Sequence, residues 1–216
     1  MKITGAIFDM DGTLLNSMDY WAIAPYEYLK SIGITPFEDT SKIFLEEGMK
    51  KWFELETERC GLSTSYDEAK EGIYRFMNER YKTDVIVKKG AYELLEKLQN
   101  SGVKMCLATA TDRKTVEMVI KRLGLEKFFP RIFTSGEVGV GKRQPLIYEL
   151  ALEYLGTERE TTYIFEDAIY AMSTAFNNGF KVVGVYDKNV YATENEVKEK
   201  CHVYLSKDSE YRLDIE

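Results

Sequence analysis

The chain has 216 residues, of which 44% are hydrophobic and 30% are charged, and it carries a net charge of −7. This length allows a buried core in one domain, or in one domain with a small insert. The acidic balance argues against a general binder of nucleic acid or of membrane surfaces, and no apolar run approaches the length of a transmembrane helix.

The first predicted element is a buried strand from Ile3 to Phe8, which ends in two acids. In an extended chain, alternate side chains point the same way, so Asp9 and Asp11 face one site while Met10 turns away. Gly12 then lets the chain leave the strand sharply. A lone Asp-x-Asp is typical of a turn that caps a strand. The apolar strand before this pair, and the Gly-Thr-Leu after it, favour a functional site instead.

The next segment, residues 16–85, is predicted to be an all-helical insert. Its apolar residues recur at helical spacing, and glycines and a proline divide it into four or so helices without a strand. The predicted domains are therefore a core of residues 1–15 and 86–216, and the insert of residues 16–85.

Strands and helices alternate after Val87, which predicts an α/β fold with a mainly parallel sheet and helices on both faces. In such sheets, ligands bind at the carboxyl ends of the strands. The predicted strands are 103–108, 131–134, 162–165, 181–185 and 202–205, and the predicted helices are 92–99, 114–123, 146–155, 168–177 and 194–200.

Polar side chains follow three of the strands, and each has two interpretations. Thr109 can bind a phosphoryl oxygen, or a threonine or aspartate of its loop can cap the next helix. Glu166 and Asp167 can belong to a site, or Asp167 can be a helix cap. Lys142, in a glycine loop, is either solvated or the positive charge of the site.

Taken together, these residues resemble the four motifs of the haloacid dehalogenase superfamily of phosphohydrolases. The first motif is Asp9-Met10-Asp11-Gly12-Thr13, and the others follow in the family's order and spacing at Thr109, Lys142, Glu166 and Asp167. The loop from Val138 to Pro145 and the run Phe165-Glu166-Asp167 resemble the β-phosphoglucomutase-like branch. The resemblance implies a Rossmann-like core, with residues 16–85 as a mobile helical cap of the C1 type.

Some positions depart from that branch, and they bear on substrate preference more than on chemistry. Asn16 stands where aspartate is common, Ala168 replaces a usual serine, and Arg143-Gln144 and Leu146 interrupt the usual Gly-Lys-Pro-x-Pro-Asp run.

The resemblance implies a phosphatase that acts on a small phosphomonoester through an aspartyl-phosphate. Asp9 is then the nucleophile and Asp11 the general acid and base. The implied Mg²⁺ site uses Asp9, the Asp11 carbonyl, Glu166 and Asp167, and the implied substrate contacts are Thr109, Ala110, Lys142 and Trp21, with Lys50 or Lys51 as further candidates in the cap. Trp21 can equally pack inside the cap.

We expect a cytoplasmic monomer with neither nucleic acid nor membrane as partner. Three cysteines without metal-type spacing suit a reducing compartment, and the N-terminus enters a strand without a charged leader. The only histidine, His202, is expected at the start of the last strand, which argues against a Ser-His-Asp or multi-histidine site.

Four other functions share parts of this pattern. A phosphosugar mutase of the same branch uses a histidine ten residues after the second aspartate, and this chain has Trp21 there. Gly136 to Lys142 matches most of a P-loop for ATP, but Arg143 replaces the Ser or Thr that holds Mg²⁺. A receiver-type phospho-aspartate switch has no helical insert after its first strand. An inactive scaffold is disfavoured because every motif residue is present.

Overall fold

The computed structural model describes residues 2–207 and 211–213, so the C-terminal end of the predicted core lies partly outside the described residues. The chain divides into two compact units. One consists of Met1–Asn16 with Ile86–Glu216, and the other of Ser17–Val85. We call them the sheet unit and the helical unit.

The helical unit contains four helices and no strand, and the structure describes all of its residues. Helix α4 (Tyr66–Thr83) begins with a capping box, in which Glu68 N donates to Ser65 Oγ at 3.2 Å and Ser65 N donates to Glu68 Oε2 at 2.7 Å. Trp52 is fully buried and meets the ring of Phe44 edge-on. The helices are α1 (Met18–Ser31), α2 (Thr40–Glu47), α3 (Met49–Cys60) and α4 (Tyr66–Thr83).

In the described residues of the sheet unit, the strands are β1 (Gly5–Phe8), β2 (Lys104–Thr109), β3 (Ile132–Thr134), β4 (Thr162–Glu166), β5 (Lys181–Val185) and β6 (Val203–Leu205). These six strands are parallel and lie in the order β3-β2-β1-β4-β5-β6. This order places β1 at the centre, with Ile7 opposite both Cys106 and Ile164. Every residue of β1 is buried, so both faces of the sheet are covered.

Six α-helices accompany these strands in the described part of the sheet unit, together with two short 3₁₀ helices, Glu126–Phe128 and Arg159–Thr161. Helix α8 (Leu146–Leu155) buries Ile147, Tyr148 and Ala151 in the same apolar core as the β1 residue Ile7. The helices are α5 (Ala91–Asn100), α6 (Arg113–Arg122), α7 (Ser135–Val138), α8 (Leu146–Leu155), α9 (Ile169–Asn177) and α10 (Glu194–Lys198).

The predicted Rossmann-like α/β fold is confirmed, and this strand order is that of doubly wound sheets, which bind ligands where the order reverses beside the first strand. Most predicted elements end within two residues of the observed ones. The one-turn helix α7 was not predicted, because four residues are too few for a periodic signal.

The two chain segments that flank the helical unit pair with each other. Leu15 bridges to Val87, Asn16 N donates to Ile86 O at 3.1 Å, and Asn16 Oδ1 accepts from Ile86 N at 2.8 Å. The side chain of Asn16, a departure from the family pattern, therefore stabilises this pairing. Among the described residues, no helix has both the length and the apolar character that crossing a membrane requires.

Candidate active site

The site begins where β1 ends, at the centre of the sheet. Asp9 N donates to Phe165 O at 2.9 Å, which continues the pairing of β1 with β4 and fixes the Asp9 backbone. Asp9 is only 7% exposed, and Met10 is fully buried. Gly12 then adopts a φ of 81°, a left-handed conformation that favours glycine, and the chain turns away.

Three buried carboxylates meet at this point. Asp9, Glu166 and Asp167 each offer an oxygen within 4.8 Å of the others. Asp167 Oδ1 accepts from Thr13 Oγ1 at 3.3 Å. Ala168, not Asp167, is the N-cap residue of α9, and no side chain caps that end, so the helix-cap interpretation of Asp167 is wrong.

Lys142 reaches into the same cluster and is only 3% exposed, so the interpretation of a solvated lysine is wrong. Its Nζ donates to Asp9 Oδ1, and to Glu166 Oε2 at 2.8 Å. Tyr148 adds a neutral donor, because its hydroxyl lies 3.2 Å from the same Glu166 oxygen. A buried ammonium between two carboxylates keeps the positive charge next to Asp9.

Burial and crowding set the charge states of this cluster. Burial, followed by the charge of Glu166, raises the pKa of Asp9 to about 8, although Lys142 opposes the rise. Burial, followed by the charge of Asp9, also raises the pKa of Asp167 well above its ordinary value. For Lys142, burial works to lower the pKa, but Asp9 and Glu166 outweigh it and the pKa lies well above the usual lysine value.

The donor set fits a divalent cation. One buried ammonium offsets only part of the charge of three ionised carboxylates, and their hard oxygens are the ligands that Mg²⁺ prefers. Burial is the first cause of the raised pKa values of Asp9 and Asp167, and the charges of the neighbouring carboxylates raise both further.

Asp11 lies beside the acidic cluster but outside it. Its Oδ2 accepts a hydrogen bond from Thr111 Oγ1 at 2.7 Å. Its charge contributes to the raised pKa of Asp9, so the two carboxylates are close enough to interact. The role of its backbone carbonyl as a metal ligand stays a prediction.

Thr109 ends β2, the neighbour of β1, and is buried. Its Oγ1 accepts from Thr111 N at 3.1 Å. The capping role in this loop belongs to Asp112, whose Oδ1 accepts from Thr115 N at 3.1 Å. Ala110 is exposed in the same loop, and its contact with substrate stays a prediction.

Comparison with known proteins bears on this arrangement. Residues 6–185 match the sequence profile described as haloacid dehalogenase-like hydrolase. The chain belongs to this family. The resemblance drawn from the motifs is thereby confirmed, and with it the prediction that the chain is a hydrolase.

Two curated relatives cover most of the chain. It is 27% identical over 180 residues to a phosphorylated carbohydrates phosphatase of Thermotoga maritima, covering 83% of both chains. It is 29% identical over 194 residues to the pyrophosphatase PpaX of Bacillus cereus, covering 86% of this chain and 84% of the relative. Among solved structures, CbbY from Rhodobacter sphaeroides in complex with phosphate shares the fold, with a TM-score of 0.82, 19% identity and coverage of 99% and 97%.

Trp21 packs within the helical unit, as its alternative interpretation predicted. Its Nε1 donates to Tyr81 Oη at 2.9 Å, and its ring stacks on Phe44 with a centroid distance of 6.1 Å. Lys50 and Lys51 are exposed on α3. That any of these residues contacts substrate stays a prediction.

Two residues of the site, Thr111 and Tyr148, were not predicted from the sequence. Thr111 and Tyr148 carry no helical or strand periodicity that marks them as functional, and only the fold brings them to Asp11 and Glu166. The one available signal was that Thr111 lies two residues beyond Thr109 in a loop at a strand end.

The P-loop interpretation does not agree with the structure. In a P-loop, the glycine-rich segment joins a strand directly to a helix and cradles phosphates with its backbone. Here α7 separates β3 from the loop, and Lys142 binds Asp9 and Glu166 instead.

Proposed function

We propose that the chain is a Mg²⁺-dependent phosphatase that hydrolyses a small phosphomonoester through an aspartyl-phosphate on Asp9. The observation that carries this proposal is the placement of the Asp9 carboxylate at the end of the central strand, in contact with buried Lys142 and within 4.8 Å of two further carboxylates. The names of the two curated relatives support a phosphorylated small molecule as substrate. A cytoplasmic monomer remains our expectation.

The metal requirement follows from charge. Asp9, Glu166 and Asp167 would hold Mg²⁺, with the Asp11 carbonyl as a further proposed ligand. Two like unit charges about 4 Å apart repel by roughly 4 kcal/mol at an effective dielectric constant of about 20, and a phosphate dianion adds to this repulsion. When bound, Mg²⁺ supplies positive charge that favours ionised Asp9 and offsets the charge of the phosphoryl group.

In the first step, a carboxylate oxygen of Asp9 forms a bond to phosphorus, and the bond from phosphorus to the leaving oxygen breaks. Asp11 gives its carboxyl proton to that oxygen, which departs as the alcohol. Lys142 and Thr109 donate hydrogen bonds to the phosphoryl oxygens that do not react. Asp9 then carries the phosphoryl group, and Asp11 is left as a carboxylate.

In the second step, water replaces Asp9 on phosphorus. The carboxylate of Asp11 takes a proton from the water while the water oxygen bonds to phosphorus. The bond between phosphorus and Asp9 breaks, inorganic phosphate leaves, and both aspartates return to their starting forms.

The test is Asp9→Asn, which removes the nucleophile's charge with little change of shape. With Mg²⁺ and a panel of p-nitrophenyl phosphate and sugar phosphates, we expect turnover to fall by several orders of magnitude. Asp39→Asn, at an exposed ion-paired aspartate of the helical unit, is the control and should retain full activity. Turnover of Asp9→Asn above about a hundredth of the wild-type rate would contradict covalent catalysis by Asp9.

Hydrolysis, rather than return of the phosphoryl group to a sugar, is supported by Trp21. An indole cannot take up or relay a proton near neutral pH, and this one already donates to Tyr81. The test supplies β-glucose 1-phosphate with a catalytic amount of the bisphosphate and follows glucose 6-phosphate and free phosphate. Isomerisation far faster than phosphate release would make the enzyme a mutase with the same catalytic residues.

A further inference from the structure

The carboxylate of Asp11 has a built-in partner on the neighbouring strand. Thr111 Oγ1 donates to Asp11 Oδ2 at 2.7 Å across 100 positions of sequence, and Thr111 is only 3% exposed. Strands β1 and β2 are parallel, with Phe8 opposite Leu107, so the loops that follow them leave the sheet side by side. The hydrogen bond therefore joins two adjacent strand-end loops.

Thr111 is itself held in place. Its backbone N–H donates to Thr109 Oγ1 at 3.1 Å, so the loop is closed by a local hydrogen bond. Asp112 then caps α6 through Thr115 N at 3.1 Å, which fixes the chain directly after Thr111. Because the chain is fixed on both sides of Thr111, its hydroxyl is a rigid hydrogen-bond donor to Asp11.

We infer that Thr111 is a positioning residue that fixes the carboxylate of Asp11 in the orientation for proton transfer, first to the leaving oxygen and then from water. This inference rests on the proposed function, in which Asp11 is the acid and base. Thr111 acts through Asp11 and not on phosphorus. Geometry matters here because a displacement of about 1 Å in a catalytic group can lower a rate roughly a hundredfold.

The test compares Thr111→Val, which keeps the shape and removes the donor, with Thr111→Ser, which restores a hydroxyl. Thr115→Val is the matched control, because Thr115 is also a buried threonine whose hydroxyl donates to an aspartate, Asp112, at 2.7 Å. Each protein is assayed with Mg²⁺ on p-nitrophenyl, phenyl and p-methoxyphenyl phosphate. These substrates have similar shape, and their leaving groups increasingly need a proton.

For Thr111→Val we expect kcat/KM to fall roughly tenfold to a hundredfold more for p-methoxyphenyl than for p-nitrophenyl phosphate, since only the poorer leaving group depends on the acid. We also expect a pre-steady-state burst of p-nitrophenolate, because water attack on the phosphorylated enzyme becomes slow without an oriented base. In Thr111→Ser and Thr115→Val, kcat/KM should vary with the leaving group as it does in the wild type.

If kcat/KM of Thr111→Val varies with the leaving group as that of the wild type does, and no burst of p-nitrophenolate appears, the inference is overturned and the proposed function stays intact. Equal losses of kcat/KM in Thr111→Val and Thr115→Val also overturn the inference, because they show that each substitution acts by disturbing the structure of the loop. If circular dichroism shows Thr111→Val to be unfolded, Thr111→Ala, which also lacks the donor, carries the same comparison. A wild-type enzyme without turnover overturns the proposed function, and this inference with it.

Discussion

At the scale of single residues, burial and neighbouring charges together determine the charge states of Lys142 and Asp9. An ammonium in the interior is tolerated only where carboxylates surround it, and Lys142 has Asp9 and Glu166 as direct partners. The same burial, followed by the charge of Glu166, holds the pKa of Asp9 near 8, and Lys142 only partly opposes this rise. The proposed Mg²⁺ completes this balance.

Asp167→Asn tests the metal assignment, because it removes one of few charged ligands and keeps the shape. We expect the affinity for Mg²⁺, measured by isothermal titration calorimetry without substrate, to fall at least roughly tenfold. Glu149→Gln is the control, since Glu149 is ion-paired with Arg159 and lies outside the acidic cluster. Equal affinity in Asp167→Asn and the wild type would exclude Asp167 as a ligand.

At the scale of elements, the site is a set of strand-end loops, and the sequence predicted those ends well. Apolar runs marked β1, β2 and β4, and parallel strands bring their carboxyl ends to one edge, so Asp9, Thr109 and Glu166 were expected together. The bond between Thr111 and Asp11 was not predictable, because periodicity carries no information about which loop side chains meet.

Lys88 also makes contacts that the sequence did not predict. Its Nζ donates to the carbonyl of Gly12 after β1, and to the carbonyl of Tyr186 after β5 at 2.9 Å. It also pairs with Asp187 at 2.8 Å, and the two side chains are 15% and 7% exposed. Lys88 therefore ties together two loops that leave the same edge of the sheet.

We expect Lys88→Met to lower the free energy of unfolding by roughly 3 kcal/mol, because it leaves the carboxylate of Asp187 largely buried without this cation. Lys198→Met is the control, because Lys198 and its ion-pair partner Glu194 have side chains that are 52% and 56% exposed. Loss of this pair should lower the free energy of unfolding by less than about 1 kcal/mol. Urea denaturation followed by circular dichroism gives both values. If the two variants lose the same stability, Lys88 does not act as a buried clamp.

At the scale of the whole molecule, contacts of very long sequence separation complete the sheet unit. Tyr211 is buried, and its hydroxyl donates to the carbonyl of Thr13 across 198 positions. Alternation of strands and helices predicted the sheet, since that signal repeats along the chain. A single tyrosine near the C-terminus gives no such signal, and its partner becomes known only when the fold is complete.

The acidic cluster also makes the stability of the whole protein depend on pH and Mg²⁺. The pKa of Asp9 rises from an ordinary value of 3.8 to about 8 on folding, mainly through burial and then through Glu166. The folded protein therefore holds this proton more tightly than the unfolded chain does. The stability that this proton contributes is fully present below the unfolded pKa, and it is lost as pH rises through about 8.

Comparing metal-free wild type with Asp9→Asn isolates this contribution, because the variant retains every other titrating group. Near pH 4, close to the unfolded pKa, Asp9 is protonated in the folded protein, where it resembles asparagine, and partly protonated in the unfolded chain, so we expect similar melting temperatures. Between pH 4 and pH 8 the wild type should lose stability progressively, and near pH 8 we expect the variant to melt about 5–10 °C higher, the shift that a few kcal/mol causes in a protein of this size. Added Mg²⁺ should raise the melting temperature of the wild type near pH 8 more than that of the variant, because it restores the charge balance around ionised Asp9. Differential scanning calorimetry across this range provides the measurement. Parallel pH curves for the two proteins would mean that Asp9 is already ionised in the metal-free fold, and that Lys142 alone neutralises it.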